Sequence, residues 1–167
     1  MPVIKVIRNT YLDDQALENV LAYVLRGPFT GGYGIDPDNA YELMAMVKSA
    51  YHKTGGVQLK HFIISFSTVE FDLLDFDGLL GLGYQVGQHF REYQMVYAIH
   101  METHHVHLHF VMNTVSFLDG HKFSDGLVPF YELRRLLAEQ FPRTGAELYL
   151  SERYSLGNPY MESHPIG

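Results

Sequence analysis

The 167-residue chain predicts an α+β fold: one central, largely antiparallel β-sheet flanked by α-helices. Two observations predict it. The hydrophobic patterns follow the order strand, helix, helix, strand, helix, strand, strand, helix, and the two neighbouring strands are joined by a turn too short for a parallel crossover. A hydrophobic share of 47% and an aromatic share of 14% also suffice for one packed core, and no repeat or linker divides the chain. The expectation is a single domain over 1–167, with its core at about 3–140 and an irregular tail after Pro142.

The elements follow in order. Pro2 to Arg8 (PVIKVIR) is a short strand. Asp13 or Asp14 caps a helix over about 14–26, in which Ala16, Leu17, Val20, Leu21, Val24 and Leu25 recur at three- and four-residue steps and Gly27-Pro28 is the stop. Phe29 to Asp36 (FTGGYGID) is a glycine-rich loop, and Pro37, behind Asp36 as cap, opens a second helix to about Tyr51. Val57 to Ser67 is an apolar strand expected to be buried on both faces. Asp72 to Phe90 is helical, although Gly78, Gly81, Gly83 and Gly87 weaken it. Tyr93 to Glu102 and His105 to Phe117 are strands, Leu118 to His121 a hairpin turn, and Leu127 to Phe141 an amphipathic helix behind Ser124 or Asp125.

Composition excludes several classes. With no cysteine there is no disulfide framework, thiolate metal site or cysteine nucleophile. The net charge of −7 argues against a general nucleic-acid coat but allows a local basic groove. No apolar run approaches the roughly 20 residues of a membrane span, and the start lacks the features of a signal peptide, so a cytoplasmic protein is expected.

The chemistry is concentrated in the histidines. Five of the ten fall between His100 and His109. In a strand His105, His107 and His109 share one face, while Val106, Leu108 and Phe110 face the core. With the turn near Glu102 and Thr103, His100 joins the same face. Imidazoles crowded on one face call for a metal or an anionic substrate, and imidazole suits zinc, manganese, nickel, copper and iron. Spacing alone does not choose the ligands. A tight hairpin groups His100, His105 and His107, whereas a wider turn lets His100 reach His107 and His109. His61 either approaches this site or is a buried core histidine.

The pattern resembles the relaxases of conjugative and mobilisable elements, the mobilisation nuclease branch of the HUH endonucleases. His100, Glu102, His105, His107 and His109, followed by Phe110-Val111-Met112-Asn113, are similar to the family's third motif, with Glu102 in place of the usual aspartate. Asn19 to Leu25 resembles the first motif, the helix with the nucleophilic tyrosine. Lys60 to Phe66 resembles the strand before the long helix, and Val115 to Phe123 the hairpin after the histidine strand. The likeness covers roughly 3–140.

The resemblance implies an HUH-like fold and a metal-dependent DNA endonuclease. A tyrosine attacks a phosphodiester of single-stranded transfer-origin DNA and leaves a 5′-phosphotyrosine link. By motif position the nucleophile is Tyr23, with Tyr33 and Tyr11 as competitors. His100, His107 and His109 become the metal ligands, for Mn2+ or Mg2+ first and Zn2+ or Ni2+ as alternatives, and His105 and Glu102 become base or supporting residues. Arg26, Lys60 and Lys122 are candidate DNA contacts. The implied partners are single-stranded DNA, relaxosome accessory proteins and a coupling protein, and the chain is expected to be a nuclease domain alone. Two other readings compete. His105-Val106-His107-Leu108-His109 also fits a histidine-triad nucleotide hydrolase or transferase, and the acidic charge fits a non-cleaving DNA-binding module.

Overall fold

The computed structural model describes residues 1–8, 11–101, 104–151 and the backbone of 163–165. In chain order the elements are β1 (Val3–Ile7), α1 (Asp14–Val24), β2 (Thr30–Tyr33), α2 (Ala40–Ala50), β3 (Leu59–Phe66), α3 (Thr68–His89), β4 (Met95–His100), β5 (Val106–Asn113), α4 (Val128–Gln140), β6 (Glu147–Ser151) and β7 (Ser163–Pro165). The strands make one sheet in the order β2-β4-β5-β3-β1-β6-β7. Every pairing is antiparallel except β1 with β6.

Alternation along the central strands sorts side chains to two faces, each covered by helices. On one face Ile4, Phe62, Ile64, Tyr97, Leu108 and Phe110 meet Leu79, Leu82 and Val86 of α3 and Phe130, Leu133 and Leu137 of α4. Phe62 and Phe110, cross-strand neighbours, stack with centroids 4.6 Å apart. On the other face Leu59, Val96, Ala98 and Val111 meet Leu17, Val20, Leu21 and Val24 of α1 and Met44 of α2. The α+β expectation holds, with β3 buried on both faces as its apolar run implied. Among the described residues no helix is long and apolar enough to cross a membrane.

Local chemistry sets the helix ends. Asp13 caps α1 by accepting from Ala16 N–H at 2.7 Å. Asp36 caps a short 3-10 turn over Pro37–Asn39, which leads into α2. A capping box of Ser67 and Glu70 starts α3 earlier than the expected Asp72. Asp75 (φ 56°) breaks that helix, and its Oδ1 accepts from Gly78 N–H at 2.9 Å to restart it.

Three expectations are corrected. The glycine-rich stretch after Phe29 contains β2, an edge strand pairing Thr30–Tyr33 with β4, because Gly31 leaves room for the Tyr97 ring opposite it. The tail after Pro142 contributes β6 beside β1, a non-local pairing with no local sequence signal. Neither Ser124 nor Asp125 caps α4: Leu127 is its N-cap with no side-chain bond, and Pro129 lies in the first turn.

Candidate active site

The histidine motif sits at the start of β5 and the end of β4. The register pairs His100 with His107, Ala98 with His109, and His61 of β3 with Val111. Residues opposite one another share a face, so His100, His107, His109 and His61 all lie on the α1 face. The wider turn is the one realised. His105 lies exposed in the bend before β5, not opposite His100. Glu102 lies outside the described residues.

The rings form a contiguous group. His100 stacks on His109 with centroids 4.1 Å apart, and His107 lies 6.1 Å from His109. His61 Nε2 is 3.2 Å from His109 Nδ1, and Tyr11 Oη is 3.4 Å from His61 Nδ1. His100 Nε2 donates to the carbonyl of Val24 at 2.7 Å. The last carbonyls of a helix have no partner within it, so this bond ties the end of α1 to β4. A carbonyl only accepts, so Nε2 carries the hydrogen and Nδ1 the lone pair in neutral His100.

Burial disfavours the charged form of His61, His107 and His109. It is the largest cause lowering His107 to about 4, with Lys5, His105 and His100 adding repulsion. Burial likewise lowers His109 well below the ordinary range, with the neighbouring His61, His100 and His107 and then Arg26 adding to it. His61 is lowered to about 3, mainly by burial and then by His100. Neutral imidazoles are the form that ligates metal. By donor chemistry, nitrogen lone pairs from adjacent strands on one face, the set suits a divalent transition metal, but its ligand atoms do not converge within 4.8 Å as those of the separate Glu92, Asp119 and His121 group do among the described residues.

The structure separates the candidate tyrosines. The Tyr23 ring lies edge-on to His100 and His109, with centroids 5.6 Å and 6.0 Å away, and packs against Ile7 and Ile63. The Arg26 guanidinium lies over it, 4.4 Å from the centroid. Tyr11 reaches only the His61 end of the cluster. Tyr33 lies on edge strand β2, donates to Arg91 O at 2.9 Å and meets the ring of Tyr84 on α3. Beside His100 a cleft of about 410 Å³ is lined by Arg26 to Phe29, Ile99 and Met101. Phe29, at its edge, stacks on Phe76 with centroids 4.0 Å apart.

The basic residues divide. Arg26 is in the site. Lys60 alternates to the opposite face, with its ammonium 5.9 Å from the Phe123 ring, and Lys122 donates to Gly55 O. Lys60 pairs with Met112 and Lys122 bridges to Val115, both toward the far end of the sheet, and neither is brought together with the histidines. Sequence reasoning missed Lys5, which pairs with Ile63 in the row of His109 and lies close enough to His107 to lower its pKa. Its signal was a lone cation alternating into an apolar strand. A separate group, Glu92, Asp119 and His121, brings three potential metal-binding atoms within 4.8 Å near the hairpin at that far end. His121 Nε2 there lies 2.8 Å from Tyr93 Oη and 3.2 Å from Glu92 Oε2, and Nδ1 contacts Asp119.

Residues 24–143, most of the chain, match the family model described as Relaxase: MobA/VirD2-like, nuclease domain. The chain belongs to this relaxase family. No curated protein and no solved structure matched it. The matched span holds all four histidines of the cluster and Arg26, and begins at the residue after Tyr23. Membership makes the chain a DNA-nicking nuclease domain and separates it from the histidine-triad hydrolases.

Proposed function

We propose that this relaxase domain nicks single-stranded transfer-origin DNA with Tyr23 as nucleophile. The observation that carries the reading is the Tyr23 ring held against His100 and His109 under the Arg26 guanidinium. Tyr23 Oη forms a bond to phosphorus while the bond from phosphorus to the 3′ oxygen breaks. The products are a 5′-phosphotyrosine link and a 3′ hydroxyl. The phenol proton passes to a base, for which exposed His105 and, by motif position, Glu102 are the candidates, and the leaving 3′ oxygen takes a proton back from it.

His100, His107 and His109 would hold the metal, Mn2+ or Mg2+ first. When bound, it polarises the phosphate and offsets charge developing on its oxygens. The chain's own groups do the rest. The His100 bond to Val24 O fixes the end of the helix that carries Tyr23. Arg26 steadies the ring and, with Lys5, supplies positive charge where a phosphate would sit in an otherwise acidic chain. The cleft beside His100 offers a path for the strand. Lys60 and Lys122, at the far end, would contact only a longer stretch of DNA.

The test is Mn2+-dependent cleavage of labelled single-stranded DNA from the element that encodes the chain. A covalent adduct on the 5′ side of the break that needs both Tyr23 and His107 is expected. An adduct that survives Tyr23→Phe assigns the nucleophile to Tyr11 or Tyr33 and overturns the reading. Metal and DNA binding without cleavage by the native protein points to a binding module.

A further inference from the structure

We propose that His61 is a positioning residue that sets the tautomer of His109, and that Tyr11 does the same for His61. The inference rests on His100, His107 and His109 being the metal-holding set.

His61 is 1% exposed. Its paired neighbour on β5 is Val111, which in turn faces Val96, so the row around it is aliphatic. A branched aliphatic residue would pack there without cost, whereas a buried imidazole is unfavourable unless its nitrogens are bonded. Both ring nitrogens of His61 have partners. Nε2 lies 3.2 Å from His109 Nδ1, and Nδ1 lies 3.4 Å from Tyr11 Oη.

Hydrogen bookkeeping gives the chain a direction. A bond between two neutral imidazoles uses one N–H and one lone pair. With Nδ1 of His109 turned to His61, Nε2 is the nitrogen His109 has for a metal, and it must carry the lone pair. The His109 hydrogen is therefore on Nδ1 and is donated to His61 Nε2. The His61 hydrogen is then on Nδ1 and is donated to Tyr11 Oη. Outer partners of this kind fix the ring orientation and tautomer of a ligating histidine. The relay also crosses elements, from the segment before α1 through β3 to β5, so it couples the metal-facing nitrogen to the docking of the N-terminal segment.

The test uses the full chain and Mn2+ titration calorimetry, with His107→Ala as a control for the site. His61→Leu is expected to weaken Mn2+ binding by about 10–100-fold, the usual cost of losing such a partner. His61→Gln, whose amide oxygen can accept from His109, is expected to stay much closer to native affinity, and Tyr11→Phe to show a smaller loss than His61→Leu. Long-range proton–nitrogen NMR of the Zn2+-loaded native protein reads the tautomer without any substitution, and a hydrogen on His109 Nδ1 is expected. A His109 hydrogen on Nε2, native affinity in folded His61→Leu, or no rescue by His61→Gln each overturns the proposal while the metal reading stands. A native protein that binds neither Mn2+ nor Zn2+ overturns the metal reading first.

Discussion

Three glycines of α3 should respond to the same substitution with opposite signs. By helix propensity alone, alanine gains about 1 kcal/mol at Gly81, Gly83 or Gly87. At Gly81 a Cβ meets nothing within 4 Å, so Gly81→Ala should stabilise by about 0.5–1 kcal/mol. At Gly83 the Cβ would stand 2.5 Å from Cδ2 of Tyr97, where carbon contacts are normally about 3.5–4 Å. The ring has nowhere to go. It is 4% exposed, and its other side lies against Gly31 of β2, where an added Cβ would also strike it. Overpacking of about 2–3 kcal/mol, less the propensity gain, leaves a net loss of about 1–2 kcal/mol. Gly87→Ala meets the root of the Tyr33 side chain and should lose a similar amount. For a chain of this length the melting temperature should rise by about 1–4 °C for Gly81→Ala and fall by about 2–8 °C for Gly83→Ala. Thermal and urea unfolding followed by circular dichroism measure both. Gly83→Ala as stable as Gly81→Ala would refute the docking of α3 on β4, the strand that carries His100.

The remaining predictions concern charge, the site and the core. Lys48 is buried, donates to Gln58 O at 2.7 Å and to Asn113 Oδ1 at 2.6 Å, and is lowered from 10.5 to about 8, chiefly by burial and then by Lys122. The unfolded chain keeps this proton to higher pH, so the contribution to stability is complete above pH 10.5 and is lost as pH falls through about 8. Urea midpoints should therefore climb between pH 8 and 9.5, by up to about 2 kcal/mol, and the climb should flatten in Lys48→Met. Arg26→Ala should slow adduct formation by about 5–30-fold while Mn2+ affinity is unchanged, in line with about 1–2 kcal/mol for a cation over an aromatic ring. Phe62→Ala, which removes a fully buried ring stacked on Phe110, should cost about 3–5 kcal/mol in equilibrium unfolding.

Much of the fold was legible because alternation and helical spacing are local. The strands around Ile4, Ile64, Ala98 and Leu108 and the helices through Leu21, Met44 and Leu133 follow from them. Two strands were not. β2 carries two glycines in four residues and forms only because the Tyr97 ring lies over Gly31. β6 pairs in parallel with β1, its partner some 140 residues earlier in sequence, and no local pattern encodes that partner.

By itself the sequence determined that His107 and His109 share a face, because the side-chain period of a strand is two residues. It also determined, through the order of its motifs, the relaxase family that the match over 24–143 bears out. Register was left to the tertiary structure. The β4–β5 register sets His100 opposite His107 and leaves His105 before the start of β5, and a shift of one residue would turn every side chain over. Only packing shows which of the candidate tyrosines lies against His100 and His109, because the docking of α1 on β5 brings the Tyr23 ring there. Only the β3–β5 register brought His61 to His109, a contact across 48 residues that the sequence cannot specify locally.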